Sequence, residues 1–481
     1  MSEYDWTILT PALMVAGLVL AILCVSIVRP ESTGRGAGYV GLIGTIATIY
    51  VTLSLWGGEA THGLGGMMYL DDFSLFFNLV FLISTGLTIL VSNDYIEREA
   101  IGKSEYYLLI LSATLGMILM AGGADLMVIF IGLELMSISL YILVGFLKGR
   151  GASTEASMKY LLLGAFATGF LLYGIALIYG STGTTNLREI ELALSQGRVS
   201  GMVMLLSGVA LLVVGLAFKV GAVPFHMWAP DVYEGAPTSI AAFLAAGPIA
   251  AAFAAFFRIT FVALKPVADE WVGAVWVLSA LTMTVGTMGA LVQRSIKRML
   301  AYSSIAHAGY VLVALAAANE TGIAGGVFYL FANTFMIVGA FAVVMALGRE
   351  TQGQPEISSY AGIGFRHPAL GLAMTLFMIS LAGLPPTGGF FGKFYIFSGA
   401  VEAGLIDLVI IGLLNSLVSI YVYLGVVARI YMSDPVGEGQ NLSLSPFARA
   451  GLITTSFATL YIGLVPSKVL QMARETVASL M

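Results

Sequence analysis

The chain has 481 residues, of which 58% are hydrophobic and only 10% are charged, with a formal net charge of -5. A water-soluble domain needs more surface charge than this, so the composition indicates a membrane protein. The single cysteine and the missing glycine-rich phosphate motifs argue against disulfides, iron–sulfur clusters, zinc sites and nucleotide sites. There is also no basic stripe for nucleic acid. We therefore expect no cofactor and no metal in this chain.

Long apolar stretches recur along the chain, and a helix needs about 20 such residues to cross a bilayer. We predict about 14 spans, at residues 7–28, 37–56, 73–93, 105–122, 125–147, 156–180, 200–228, 236–264, 269–291, 297–318, 322–347, 369–400, 403–431 and 448–466. The loops are short, and residues 186–196 form a small predicted surface helix. The sequence thus predicts one all-α polytopic membrane domain over residues 1–481.

Basic residues in the loops predict the orientation of the spans. One side has 13: Arg29, Arg35, Arg98, Lys103, Lys148, Arg150, Arg294, Lys297, Arg298, Arg349, Arg366, Arg429 and Arg449. The other side has 5: Arg188, Arg198, Lys265, Lys468 and Arg474. We expect the first side to face the cytoplasm of a bacterial inner membrane, or an equivalent compartment. Both termini would then lie on the outer, positive side.

Two predicted spans contain helix breakers at corresponding places. Span seven carries Gly221-Ala222-Val223-Pro224, and span twelve carries Gly383-Leu384-Pro385-Pro386, each with a lysine nearby. Paired interrupted helices mark the transport site in transporters built from inverted repeats. The pattern favours two inverted five-helix repeats, one over about 105–264 and the other over about 269–431, with helices 7 and 12 broken.

Four charged residues of the predicted spans look buried, where a charge costs several kcal/mol: Glu134, Lys159, Lys219 and Lys393. No loop is within reach of Glu134, which predicts a buried carboxyl; a neutral acid bonded to a neighbouring helix is the alternative. Lys159 is about one turn into its span and can extend to the headgroups. It can instead pair with Glu134, which would offset both desolvation penalties.

Lys219 combines deep burial with a break in the helix. Burial penalises the charged form of a lysine, so this residue can release and regain a proton. Pro224 cannot donate a backbone hydrogen bond and loosens the helix there, and His226 adds a second titratable group. This cluster predicts proton transfer, against the alternative of a purely structural role.

Lys393 and His307 extend the polar set into the second half. Lys393 follows an unwound Pro-Gly-rich segment, which at membrane depth must line protein or a wet cavity, and we predict that it is the counterpart of Lys219. His307 lies in a polar stripe and is predicted to bridge the halves by hydrogen bonds and water, or else to pack. Asp231 and Glu234 are expected to cap helices or face water.

Three motifs carry a family resemblance: residues 223–238 (VPFHMWAPDVYEGAPT), residues 301–310 (AYSSIAHAGY) and residues 383–394 (GLPPTGGFFGKF). They resemble the subunit N family of proton-pumping NADH–quinone oxidoreductase (respiratory complex I, where it is an antiporter-like subunit). The motifs are long and specific, and the likeness covers most of the chain.

We predict that proton transfer runs through Glu134, Lys159, Lys219, His226, His307 and Lys393. The resemblance implies that Glu134 and Lys159 form an ion-paired modulator of Lys219, and that Lys393 ends the path. One departure is Ile249, which stands where the family usually has a lysine in span eight. The proton route would then cross the centre by water and His307, or by another residue.

The function that follows is a proton-translocating membrane-arm subunit that couples quinone reduction elsewhere in the complex to proton movement. Its expected partners are the lipid bilayer and the other membrane-arm subunits, with NADH and quinone bound on other chains. The alternatives are a subunit of a multisubunit cation/proton antiporter, a related complex using ferredoxin or another donor, and a scaffold. The sequence leaves the ion, proton or sodium, open.

Overall fold

A computed structural model describes residues 6–28, 34–99, 104–348, 356–434, 442 and 444–480. Arg29, Lys103 and Arg349, which support the predicted orientation, lie outside the described residues, as does the side chain of Arg98. The described ranges fold into α-helices joined by short loops, with one small β-hairpin.

The N-terminal part packs three long helices and the hairpin against the rest of the bundle. After a short 3-10 turn at Trp6–Leu9 come α1 (Thr10–Val28), α2 (Gly34–Ser54), β1 (Thr61–Gly63), β2 (Met68–Leu70) and α3 (Asp72–Arg98). The strands are antiparallel, with His62 opposite Tyr69. α3 lies along α2 and α10, which ties this part to the centre of the bundle.

The first group of helices contains the first interruption. It consists of α4 (Ser104–Gly122), α5 (Leu126–Val144), α6 (Gly151–Thr182), α7 (Leu187–Ser195), α8 (Met202–Val220), α9 (Trp228–Gly235) and α10 (Thr238–Arg258), the last continued by a π-helical turn at Ile259–Ala263. The small helix α7 confirms the prediction for residues 186–196. The Asn186 side chain accepts from the backbone N–H groups of Arg188 and Glu189, so it caps α7.

The second group contains the second interruption. It consists of α11 (Ala268–Leu291), α12 (Ile296–Ala317), α13 (Glu320–Ala346), α14 (Ile363–Arg366), α15 (Pro368–Ala382), α16 (Gly388–Glu402), α17 (Ile406–Met432), α18 (Pro446–Leu464) and α19 (Pro466–Ala478). Short 3-10 turns cover Lys265–Val267 and Ile357–Tyr360. The last helix, α19, packs against α13 and α3 and was not predicted from the sequence.

The number of spans agrees with the prediction. In the described ranges, 13 helical segments are long and apolar enough to cross a membrane. The remaining predicted span is divided between α15 and α16, of 15 residues each. Each of these is about 22 Å long, shorter than a hydrocarbon core of about 30 Å, so only together do they cross it. The all-α polytopic fold is therefore confirmed, and the limits of the two repeats stay a prediction.

The centre of the bundle is the helix α10. Every residue from Ser239 to Arg258 is buried, and α10 packs against α3, α4 and α13. By contrast, α1, α2, α6 and α17 turn large apolar side chains outward, such as Ile43, Phe166 and Tyr421. A charge on α10, α12 or α13 is consequently surrounded by protein, whereas the outer helices present an apolar surface suited to lipid.

Candidate functional site

The first interruption separates α8 from α9 directly after Lys219. Gly221 ends α8 in the left-handed region (φ 72°), where a residue with a Cβ is strained. The chain then runs unwound to Trp228, where α9 begins. The Val223 N–H donates to Thr282 Oγ1 of α11 at 2.9 Å, which fixes the unwound segment to the second group of helices.

The Lys219 ammonium is enclosed by neutral hydroxyl groups. Lys219 is only 5% exposed and lies in the last turn of α8. Its Nζ donates to Ser137 Oγ at 2.8 Å and to Tyr141 OH at 3.4 Å, both on α5. A cation is favoured at the carbonyl end of a helix, yet no carboxylate of the described residues lies in salt-bridge contact with Lys219. The site therefore holds a buried lysine whose charge is solvated without a fixed counter-ion.

Glu134 lies one turn before Ser137 on α5, and its role as a modulator of Lys219 stays a prediction. It is half-buried, and its Oε1 accepts from Thr168 Oγ1 of α6 at 2.9 Å. This contact corresponds to the alternative given above, a glutamate bonded to a neighbouring helix. Lys219 bonds to Ser137 and Tyr141 and not to Glu134, so a charge on Glu134 would act on Lys219 through space.

The expected ion pair between Glu134 and Lys159 is not formed. Lys159 Nζ lies 2.7 Å from Asp231 Oδ2 on α9 and 2.7 Å from Glu155 Oε1 on its own helix. The reason is the position of Lys159 near the start of α6, from which its flexible stem reaches the polar end of the bundle. Asp231, for which the sequence analysis expected only capping or solvent contact, is thus the partner of Lys159.

His226 lies in the unwound segment between α8 and α9. Its ring is half-buried, and its Nδ1 is buried and makes no hydrogen bond to the described residues. A buried ring nitrogen without a partner is uncommon in proteins. The structure thus places this predicted residue at the interruption, beside the exposed Pro224 and Met227.

At the second interruption the lysine follows the break, whereas Lys219 precedes the first one. Gly383 ends α15 in the left-handed region (φ 80°), and Lys393 lies in α16. Lys393 Nζ bonds back to the last carbonyls of α15, to Leu381 O at 3.3 Å and Ala382 O at 3.2 Å. It also donates to Ser416 Oγ at 3.2 Å.

Lys393 and Lys219 differ both in chain position and in the groups that their ammonium nitrogens contact. Lys219 stands two residues before its αL glycine, and the residue two before Gly383 is Leu381. The long side chain of Lys393 brings its ammonium to the Leu381 carbonyl. The Lys393 ammonium thus lies at the carbonyl end of an interrupted helix, where the helix dipole favours a cation, whereas the Lys219 ammonium contacts two hydroxyls of α5.

His307 is the centre of a buried group of hydroxyls. Its Nδ1 bonds to Tyr329 OH, and its Nε2 lies 3.0 Å from Tyr423 OH, which in turn lies 2.5 Å from Ser303 Oγ. The ring of Tyr310 stands between this group and Lys393, whose Nζ lies 4.6 Å from the ring centroid. The structure thus brings His307 close to Lys393, in the second group of helices.

The residue at the predicted gap between Lys219 and Lys393 is apolar. Ile249 is buried on α10, next to Pro248, which cannot donate to the carbonyl one turn earlier. Nearby polarity comes from Asn333 on α13, whose Nδ2 donates to Ala245 O at 3.4 Å and whose Oδ1 is buried without a partner among the described residues. The hydrogen bonds of Lys219 lead to α5 and not to α10, so they do not define a proton route past Ile249.

Two buried cations were not predicted from the sequence. Arg258, on predicted span eight, makes a two-pronged pair with Asp71, with both N–O distances at 2.8 Å. Lys297, which was counted as a loop charge, is buried and donates to the carbonyls of Glu234 and Ala236, each at 2.8 Å. A scan for every charge inside or just beside a span would have found both.

A metal site has no support in the parts of the chain that are described. No group of three or more His, Cys, Asp or Glu side chains lies close enough together there to hold an ion. The expectation that this chain carries no cofactor of its own is not tested by that finding and stays a prediction.

Comparisons with known proteins agree with the motifs. Residues 123–419 match the family described as NADH:quinone oxidoreductase/Mrp antiporter, transmembrane. NADH-quinone oxidoreductase subunit N of Trichlorobacter lovleyi is 46% identical over 98% of this chain and 96% of its own length.

Solved structures give the same result. A chain of respiratory complex I from Thermus thermophilus is 34% identical, with a TM-score of 0.82 over 96% of this chain and 98% of that one. A chain of the Mrp complex from Dietzia shares the fold, with a TM-score of 0.88 at 21% identity over 99% of this chain and 98% of that one. The chain therefore belongs to the NADH:quinone oxidoreductase/Mrp antiporter transmembrane family, with NADH-quinone oxidoreductase subunit N proteins among its relatives.

Proposed function

We propose that the chain is a proton-translocating membrane-arm subunit of an NADH–quinone oxidoreductase. Its partners would be the other membrane-arm subunits and the surrounding lipid, and NADH and quinone would bind on other chains. It would carry no redox centre and no metal. Its basic loops would face the cytoplasm of a bacterial inner membrane, or an equivalent compartment, and its termini the opposite side.

One observation carries this proposal, the neutral surroundings of the buried Lys219 ammonium. The two hydroxyls that Lys219 contacts can solvate the charged ammonium and can equally stay beside the neutral amine. A carboxylate partner would instead favour the charged form and hold the proton on the lysine. Arg258 shows the contrast, because Asp71 neutralises it in a buried pair. A lysine held by hydroxyls beside a helix break is suited to exchange a proton.

The required change in proton affinity is modest. Moving one charge against 100 mV needs about 2.3 kcal/mol. That energy corresponds to a roughly 50-fold change in the proton affinity of one group, at about 1.4 kcal/mol for each factor of ten. Approach or retreat of the Glu134 charge, one turn from Ser137, supplies such a change. Lys219 would pass its proton toward His307 and Lys393.

The test is proton pumping by the assembled complex in proteoliposomes. Lys219→Ala is expected to lower the number of protons moved per NADH oxidised, while electron transfer to quinone continues. Lys265→Ala serves as the matched control, because Lys265 is an exposed lysine outside the site. A Lys219→Ala complex that pumps with the ratio of the control would refute the proposal.

The same proteoliposomes distinguish an oxidoreductase subunit from an antiporter subunit. If the chain works as a cation/proton antiporter subunit, vesicles without any electron donor should exchange an imposed sodium or proton gradient. NADH-driven pumping with no such exchange supports the oxidoreductase assignment. The fold shared with the Mrp chain does not distinguish the two, since both carry it.

A further inference from the structure

Buried hydroxyl groups line one side of α3, where it packs against α4 and α10. Ser84, Thr88 and Ser92 follow one another at intervals of four residues, so they share one face of the helix, and all three are fully buried. Ser84 Oγ accepts from the Gly247 N–H of α10 at 3.1 Å, and Ser92 Oγ lies 3.2 Å from Tyr106 OH of α4. We call Ser84, Thr88 and Ser92 the α3 row.

Thr88 differs from the buried threonines of the neighbouring helix α2. Thr45, Thr48 and Thr52 each donate from Oγ1 to the carbonyl four residues earlier, at 2.7–2.8 Å. Thr88 Oγ1 makes no such bond and has no partner among the residues that the structure describes, although it is fully buried. A buried hydroxyl without a partner is costly in a dry interior, whereas an internal water satisfies such a group. The α3 row is therefore suited to hold water.

The spacing of the α3 row fits single waters between its members. Four residues advance a helix by about 6 Å. One water that bridges two hydroxyls spans about 5.5 Å, which is two O–H···O distances of roughly 2.75 Å. Two waters would thus join Ser84, Thr88 and Ser92 into one chain of hydrogen bonds. A proton can move along such a chain without a charged side chain.

One end of the α3 row lies near a cavity on the side of the basic loops. Tyr106, which contacts Ser92, packs edge-on against Phe146, with ring centroids 5.7 Å apart. Phe146 also lines a cavity of about 790 Å³, whose charged residues are Glu99, Glu105, Lys148 and Arg150. Tyr106 therefore lies between the α3 row and a polar cavity.

The other end of the α3 row reaches the part of α10 beside Pro248, since Ser84 bonds to the N–H of the preceding residue. Asn333 of α13 bonds to the same part of α10, at the Ala245 carbonyl, and its buried Oδ1 has no partner in the described parts of the chain. Asn333 follows Tyr329 by one helical turn, and the Tyr329 hydroxyl bonds to His307 Nδ1. Polar groups thus continue from α10 to this histidine.

We propose that the α3 row and Asn333 form a hydrated proton path, which leads from the cavity at Tyr106 to His307 and passes the apolar Ile249. This inference rests on the proposed function and adds to it a second route into the second group of helices. The path is separate from the hydrogen bonds of Lys219, which lead to α5.

The first test measures the protons pumped per NADH by the assembled complex in proteoliposomes. Thr88→Val keeps the shape of the side chain but removes the hydroxyl, and Asn333→Leu removes both polar atoms of the amide. Each should lower the ratio while quinone reduction continues. Because both lie on one path, the double variant should lose no more than the stronger single variant.

Thr48→Val and Thr334→Val are the matched controls for this test. Both hydroxyls are buried, and each donates to the carbonyl one turn earlier on its own helix, α2 for Thr48 and α13 for Thr334. Neither substitution removes a group of the path, so both variants should pump with the unchanged ratio.

A second test detects the water without measuring pumping. With the single cysteine removed by Cys24→Ser, the Thr88→Cys complex is treated with methanethiosulfonate ethylammonium, and the mass of this subunit is followed over time. The thiolate is the reactive form of cysteine, so a hydrated Thr88→Cys should react at least about ten times faster than Thr48→Cys. This comparison decides the matter if Asn333→Leu does not assemble.

Three outcomes would overturn the inference: equal labelling rates for Thr88→Cys and Thr48→Cys, a Thr88→Val complex that pumps like Thr48→Val, or losses of Thr88→Val and Asn333→Leu that add. The failure of the proposed function is distinguishable, because it would appear as normal pumping by Lys219→Ala. A reduced ratio in Lys219→Ala with normal pumping in Thr88→Val would refute only the path along α3.

Discussion

The buried pair between Arg258 and Asp71 gives the sharpest prediction for stability. The guanidinium uses three donors, two on Asp71 and Nε on the Ala121 carbonyl at 2.8 Å. It also lies over the rings of Tyr69 and Phe73, 5.0 and 4.7 Å from their centroids. Asp71→Asn preserves the shape of the side chain but leaves a buried, uncompensated cation.

The expected loss is about 3–5 kcal/mol of unfolding free energy, the range found when one partner of a buried pair is removed. SDS-induced unfolding of the purified protein in mixed micelles, followed by circular dichroism, measures it. Asp72→Asn is the matched control, since Asp72 accepts one backbone hydrogen bond, from Gly57 at 3.0 Å. Asparagine keeps an oxygen that can accept this bond, so Asp72→Asn should lose only the favourable charge at the start of α3, about 0.3–1 kcal/mol.

A double variant tests the reason for the loss. Replacing both partners by apolar residues, Asp71→Leu with Arg258→Met, removes the unpaired charge, so this protein should be more stable than Asp71→Asn alone. Equal losses for Asp71→Asn and Asp72→Asn would refute the reasoning, because they would show that the guanidinium does not depend on its partner.

The remaining predictions concern the two hydroxyl groups of the path. Gly164→Ala should lower proton pumping, because its Cβ would lie 2.1 Å from Tyr141 OH and displace this partner of the buried Lys219. Gly169→Ala, on the same helix, places its Cβ in open space with nothing within 4 Å and should pump normally. Equal numbers of protons pumped per NADH by the two variants in proteoliposomes would contradict this prediction. Tyr423→Phe removes the hydroxyl on His307 Nε2 and should cost about 1–3 kcal/mol of stability. It should also lower pumping at unchanged quinone reduction, whereas a variant with full pumping would exclude this hydroxyl from the path.

The sequence predicted well where the local pattern is decisive. Apolar length determines spans, so α1 to α6 lie close to their predicted limits. The breaks were also readable, because Gly221 and Gly383 end their helices in the left-handed region that glycine favours. The amphipathic α19 was missed because its apolar residues do not form a continuous run of membrane length.

Partner choice was much harder to predict. Glu134 and Lys159 have opposite charges on consecutive spans, and this favoured the prediction of an ion pair. In the structure Glu134 contacts Thr168 and Lys159 contacts Asp231, because the two residues lie at different levels along α5 and α6. Arg258 and Asp71 are separated by 187 residues, and no local pattern relates them. Such contacts depend on how helices are rotated and shifted against each other.

The membrane class, the broken helices and the costly charges within them follow from the order of the amino acids, because hydrophobic length, glycine and proline act locally. The group that each charge contacts depends on helix packing. Helix packing sets Lys219 among hydroxyls, brings Lys393 back to the carbonyl end of α15 and gives Lys159 to Asp231. The reason is that electrostatic partners are chosen by distance in space, and residues far apart in the chain supply them.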